Sequence, residues 1–354
     1  MLRTLTFLIV SVIVPLCAVE YYARQRFVDY ADEEHFIHQL AFERLLNSLV
    51  IPAAGQAHSP LFGYALSPNA TETVSTADYS YTIRTNSLGF RTRELAPRRA
   101  GEQRLLLFGD SMLFGVGLEQ GHTLAARLEQ FGSEAASPLN VYNYSMLSFS
   151  TAQALIAARA YAPAAQPDHM LLGIFVANDL LPNAISHADT QNRLSYDTTR
   201  IAQLHGELEK RLAPLMPSIA LRAWAYSAWM PRLRFQLAAE DRFIQPTYDL
   251  IDEFTALSQS LGARASIVII YPRYAVSDGL KGLWSTSRTP GALLAQHCRA
   301  KGIPVLDLLD YMDGASDAED YYYKEDGHFN GAGNEHVARA VYRELIAPPT
   351  KVRP

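Results

Sequence analysis

The chain has 354 residues, 49% of them hydrophobic and 19% charged, and a formal net charge of −5. That is globular composition with chain enough for one large domain and an N-terminal appendage, or for two small domains. The charge lacks the basic footprint of a nucleic-acid binder, and the two cysteines, Cys17 and Cys298, form neither a CxxC pair nor a cluster with zinc spacing, so no nucleic acid, metal or disulfide is expected.

The N-terminal run from Thr4 to Val19 carries no charge. It is shorter than the roughly 20 residues of a typical spanning helix and longer than the ~7–15 of a signal-peptide core. Arg3 precedes it, and Tyr21, Tyr22 and Phe27 follow it as an interfacial aromatic belt would. Cleavage after Ala18 would put Leu16 where a small residue is wanted, and Leu16 also spoils a lipoprotein reading at Cys17. Residues 1–22 therefore read as an N-terminal transmembrane anchor or signal segment, the uncleaved anchor preferred over a cleaved signal and over a buried soluble helix; either membrane reading exports the remainder. Residues 23–78 read as a stalk and connecting segment. Within them 20–50 is charged and helix-friendly, with Leu40, Phe42, Leu45 and Leu46 at helical spacing, and 51–80 carries the Pro, Gly, Ser and Thr of a loop.

The main domain is placed at 79–348. The stretch "YSYTIRTNSLGFRTREL" (79–95) alternates like a strand and turns at Asn86–Gly89. From 104 onward strands and helices alternate: "RLLLFGD", then a helix at 123–131, "LNVYNYS" (139–145), a helix at 151–162, "HMLLGIFVAND" (169–179), "ASIVIIYP" (265–272), a helical "GALLAQHCRAKG", "IPVLDL" (303–308) and a final helix. This alternation predicts an α/β fold, a three-layer α/β/α sandwich with a central parallel sheet. Residues 180–245 interrupt the pattern and read as a partly helical insertion that walls the site.

In an open parallel sheet, ligands bind outside the carboxyl ends of the strands. Three strands here end in residues of catalytic type: Asp110-Ser111, Asn143 with Ser145–Ser148, and Asn178-Asp179. A fourth block before the last helix offers Asp326 and His328. Ser111 follows a buried strand and opens a turn, where its N–H can meet a developing oxyanion. A hydroxyl needs a base, which His328 can be, and a carboxylate would hold the imidazole tautomer. The alternative is that Ser111 caps a helix and Asn178 a turn.

These blocks, in this order, resemble the SGNH (GDSL-type) hydrolase family. "FGDSMLFGVG" is similar to its first block, "VAND" to its third and "DGHFNGAGNEHVA" to its last, and "RTNSLGFRTRE" is similar to segments that precede the domain in bacterial membrane-linked members. The resemblance implies Ser111 as nucleophile, His328 as base, and Ser111, Ser148 and Asn178 as the oxyanion hole. Ser148 stands where the family has an oxyanion glycine, and Val176 where it prefers glycine. The acid is Asp326, as in the Asp-x-His of related polysaccharide acetyltransferases, with Glu325 the other candidate, and Asp110 holds the turn. His122 and His336 read as structural.

The expected function is a serine esterase, in particular a carbohydrate O-acetyl esterase, on the extracytoplasmic side of a membrane. It would form an acyl-enzyme on an acylated carbohydrate or other small ester, without a cofactor. An O-acyltransferase for cell-envelope or exopolysaccharide glycans would use the same residues, and a non-catalytic polysaccharide-binding module could keep the fold.

Overall fold

The computed structural model describes residues 9–27, 56–225, 230–276, 286, 288–312 and 318–347. The chain divides into two compact units, one of Met1–Ser48 with Thr198–Arg234, the other of Leu49–Asp197 with Phe235–Pro354. The insertion read at 180–245 is therefore split between them.

In the first unit, a π-helical turn (Ile9–Ile13) leads into α1 (Val14–Arg26). Among the described residues no helix is long and apolar enough to cross a membrane. The span expected over Thr4–Val19 begins in residues that lie outside those described. Its continuation, α1, has only 13 residues and carries Glu20, Arg24 and Arg26 in its second half. The Glu20 carboxylate accepts from Ser218 Oγ (2.7 Å) and from the backbone N–H groups of Ile219 and Ala220 (3.1 Å each). It thereby supplies acceptors for the unpaired donors that open the helix Ile219–Trp224.

The second unit opens with two hairpins, β1 (Gln56–Ser59) with β2 (Gly63–Leu66), and β3 (Thr71–Ser75) with β4 (Ser80–Arg84). The 51–80 stretch expected as loop thus forms strands. Within it β2 buries Tyr64 and Leu66, whereas β3 alternates only between exposed and half-buried. Hydroxyl pairs across the hairpin, Thr73 with Thr82 and Ser75 with Ser80, stabilise it instead.

The principal sheet has β5 (Gln103–Phe108), β6 (Leu139–Asn143), β7 (His169–Phe175), β10 (Arg264–Ile270) and β11 (Val305–Asp307), in the order β11-β10-β7-β5-β6, all parallel. A small hairpin, β8 (Ser186–Ala188) with β9 (Leu194–Tyr196), lies between β7 and β10 in the chain. The order is the 2-1-3-4-5 of doubly wound sheets. Right-handed crossovers explain the layers. The chain steps one way from β5 to β6 and the other way through β7, β10 and β11. The helices Leu124–Glu134 and Gly331–Val341 accordingly pack together on one face, and Thr151–Ala165 packs with Asp241–Ser260 on the other. Strands covered on both faces need unbroken apolar runs, and Leu105, Leu106, Leu107 and Phe108 are all buried. Parallel strands also bring every carboxyl end to one edge.

Candidate functional site

At that edge β5 gives way to Gly109-Asp110, and Ser111 begins a single helical turn, α2 (Ser111–Phe114). Asp110 caps the turn, its Oδ1 accepting from Met112 N–H at 3.0 Å. The turn lies flat against the sheet because β7 carries Gly173 beneath it. A Cβ there would stand 2.4 Å from Leu113 Cδ1. Asn143, at the end of β6, donates from Nδ2 to Leu113 O (2.8 Å) and accepts from Ser145 N–H (3.0 Å), tying the second strand-end block to the first.

The loop before the last helix is folded by a backbone bond from Tyr323 N–H to His328 O (2.8 Å) and by pairing of Tyr322 with Phe329. Asn330 then caps the helix by accepting from Gly333 N–H at 3.0 Å. This sets His328 Nε2 2.7 Å from Ser111 Oγ, and Nδ1 of the same ring is hydrogen-bonded to Asp326 Oδ1. The other oxygen, Oδ2, accepts from Tyr79 O–H at 2.7 Å. Burial raises the Asp326 pKa, but the hydrogen bond and charge of His328 and the Tyr79 hydroxyl outweigh it and hold the carboxyl below its ordinary value. Glu325 is exposed and meets the site only through its backbone N–H, which donates to Asp78 Oδ2 at 2.7 Å. Of the two acidic candidates, Asp326 is the one that meets the imidazole.

Asn178 follows β7, half-buried, with its N–H on Phe175 O (3.2 Å) and its side-chain amide toward Asp110. Asp179 accepts from Phe175 N–H at 2.9 Å. Asp110 and Asp179 are both buried, and Asp110 Oδ2 and Asp179 Oδ1 have no partner among the described groups. Burial pushes the Asp110 carboxyl up to about 6, against the lowering influence of Met112 N–H and His328. Burial, and then the neighbouring charge of Asp110, raise Asp179 well above the ordinary carboxylate range.

Ser148 lies on the loop after β6, exposed, with φ +57°. That left-handed conformation costs an L-residue about 1–2 kcal/mol and is free for glycine, so the serine sits in backbone that favours glycine. Tyr64 O–H holds the preceding carbonyl, Leu147 O, at 2.7 Å. Among the described contacts none ties Ser148 itself to Ser111. His122 is exposed and pairs with Arg127 (2.9 Å), while His336 stacks on Tyr321 at 4.7 Å, both away from the Ser111–His328 pair.

Sequence reading passed over Asp78, Tyr79 and Arg91. The first two lie in the stretch read as loop. Arg91 lies inside "RTNSLGFRTRE" and is 2% exposed. It donates to Gly115 O (2.7 Å), Phe114 O (3.3 Å), Leu118 O (2.5 Å) and Thr82 O (3.3 Å), beneath the Tyr81 and Phe114 rings.

Residues 224–351 match the family model described as SGNH hydrolase-like domain, acetyltransferase AlgX. That span includes Asp326 and His328 and leaves Ser111 outside it. No curated protein matches the chain. Solved structures similar to it include the esterase EstA from Pseudoalteromonas (15% identity over 69% of this chain and 97% of that one, TM-score 0.38). The lipase/acylhydrolase from Enterococcus faecalis is 13% identical over 69% and 95%, with TM-score 0.41. An acetyl-xylooligosaccharide esterase from Geobacillus is 14% identical over 71% and 97%, also with TM-score 0.41.

Proposed function

We propose that this SGNH hydrolase-like chain is a serine esterase acting on O-acylated carbohydrate, O-acetyl groups above all, tethered to a membrane by its N-terminal segment with the sheet-bearing unit on the extracytoplasmic side. One observation carries the catalytic reading: the unbroken chain Ser111 Oγ, His328, Asp326, assembled from loops 217 residues apart at the carboxyl edge of the sheet.

The chemistry follows from that chain. His328 Nε2 takes the hydroxyl proton as Ser111 Oγ bonds to the ester carbonyl carbon. Asp326 holds Nδ1–H and stabilises the imidazolium. The Ser111 and Ser148 N–H groups and the Asn178 amide are the donors for the oxyanion. Collapse of the tetrahedral intermediate breaks the ester C–O bond, and His328 returns the proton to the leaving alcohol. Water, deprotonated by the same ring, then releases the acid and restores Ser111.

A second reading is favoured by the acetyltransferase description of the family model that matches the acid–base loop. In it a sugar hydroxyl, rather than water, attacks the acyl-enzyme, and no other residue changes role. A serine-directed fluorophosphonate is expected to label the protein at Ser111 and p-nitrophenyl acetate to be turned over. Ser111→Ala should abolish both while its melting profile stays that of wild type. Wild-type protein that takes no label and turns over no ester, yet retains acetylated glycan, would leave a binding module instead.

A further inference from the structure

The acid of the Ser111–His328–Asp326 chain is held from outside its own loop. Asp326 has two carboxylate oxygens and gives only Oδ1 to the imidazole. A carboxylate bonded at one oxygen can swing about its Cβ–Cγ bond, and Asp326 is on a surface loop with a quarter of its side chain exposed. Within that loop only the His328 backbone N–H, at 3.3 Å, also reaches Oδ1, and it leaves Oδ2 without a partner from the loop.

The second hairpin supplies what is missing. Its turn residue Asp78 accepts at Oδ2 from two consecutive backbone donors of the acid loop, Glu325 N–H (2.7 Å) and Asp326 N–H (3.0 Å). The next residue, Tyr79, reaches Asp326 Oδ2 with its hydroxyl at 2.7 Å. The Tyr79 ring is wedged against Tyr323 of the acid loop (centroids 4.8 Å) and against Tyr81 (5.6 Å), and Tyr323 O–H in turn donates to Gly117 O (2.8 Å). Gly117, at φ +76°, leaves the room for this pair. A Cβ there would stand 2.5 Å from Tyr323 and 2.8 Å from Tyr79.

We propose that Tyr79 is the positioning residue of the site: through its hydroxyl on Oδ2, with Asp78 clamping the backbone beneath, it fixes the Asp326 carboxylate so that Oδ1 stays on His328. This rests on the catalytic reading of Ser111, His328 and Asp326 given above. Tyr79 touches no reacting atom and acts through Asp326. Burial, and then the adjacent Asp326 carboxylate, raise its phenol pKa, so the hydroxyl remains a donor across the working pH range. The titratable groups facing Asp326 are Tyr79, Tyr81 and Asp78 from the hairpin side and Tyr323 and His328 from its own loop.

The test is Tyr79→Phe in the full chain, which deletes the hydroxyl and keeps the ring, with Tyr323→Phe as the partner variant that removes the other hydroxyl of the pair without touching Asp326. Three measurements are made: fluorophosphonate labelling rate against pH, kcat and KM for p-nitrophenyl acetate, and the far-downfield proton resonance of the His328 Nδ1–H. Tyr79→Phe is expected to lower kcat and the labelling rate about tenfold, the scale of one charge-assisted hydrogen bond, with KM unchanged. The acidic limb of the labelling profile should move to higher pH, because a carboxylate with one donor fewer attracts the proton on His328 more strongly, and the downfield resonance should shift. Tyr323→Phe should leave the limb and the resonance in place. Wild-type rate, limb and resonance in Tyr79→Phe would overturn the inference, as would equal changes in both variants. The resonance needs no substrate, so a wild-type protein inert to every ester would count against the catalytic reading while the resonance still decided the role of Tyr79.

Discussion

Asp110 stands fully buried next to the nucleophile, facing a second buried carboxyl, Asp179. Burial raises its pKa to about 6, against roughly 3.9 for an unfolded aspartate. Between those values the folded chain binds a proton that the unfolded chain has released. Stability therefore falls as pH rises through this window, and above it the ionised carboxylate is a constant cost. Asparagine would keep the Oδ1 that receives Met112 N–H and shed the charge. Asp110→Asn is expected to raise the melting temperature relative to wild type at pH 8, with the gain shrinking toward nothing near pH 4. A gain of the same size at both pH values would show that the buried charge is not its source. A carboxylate kept at such a cost, one residue from Ser111, is what a site retained for function at the expense of stability looks like.

At the scale of elements, the segment between the second hairpin and β5 is a brace for the nucleophile turn. Arg91 is its centre, since one guanidinium satisfies four carbonyls, three of them in Phe114–Leu118 just after Ser111. Arg91→Met would leave those acceptors buried without donors, each costing about 1–3 kcal/mol where water cannot reach. A loss of at least about 4 kcal/mol in urea unfolding is expected, with Arg91→Lys intermediate because a single ammonium cannot span four carbonyls. Full stability in Arg91→Met would mean that water replaces the arginine. This brace also marks where sequence reading stopped. The strands of the principal sheet were legible because burial on both faces forces apolar runs such as "LLLF" and "LLGIF", the strand ends exposed Ser111 and Asn178 as polar residues that such runs do not otherwise tolerate, and His328 stood out in the block before the last helix. β4, which buries Tyr81 and Ile83, was read as a strand, but β3 has no buried face to impose a pattern, so it read as loop together with the turn that carries Asp78 and Tyr79. Their function lies in contacts made across 247 positions, which no local periodicity encodes.

For the whole molecule the open question of placement centres on the N-terminal helical stretch. Val10, Val12, Ile13, Val14, Leu16 and Val19 are exposed, as are Tyr21, Tyr22 and Phe27 beyond them. Apolar residues on this scale stay out of water in a soluble protein, and we propose that lipid covers the valine-rich run and the aromatic residues at its end. The uncharged helical residues Ile9–Val19 extend about 16 Å at 1.5 Å per residue, short of the ~30 Å of a hydrocarbon core. The proposed anchor is the uncharged Thr4–Val19 run of the sequence, with Arg3 on the inner side. Alkaline phosphatase fused to the C-terminus is then expected to be active outside the cytoplasm, because the enzyme folds only where its disulfides form. The mature protein should sediment with membranes in high salt and dissolve only in detergent, since a hydrophobic span is insensitive to ionic strength whereas a charge-held peripheral protein is released. N-terminal sequencing should recover the residues before Ala18. A mature chain beginning after that position, in the soluble fraction, would replace the anchor by a cleaved signal while keeping the export. An inactive phosphatase fusion would place the site in the cytoplasm, where exported glycans are out of reach and the substrate would have to be a soluble ester.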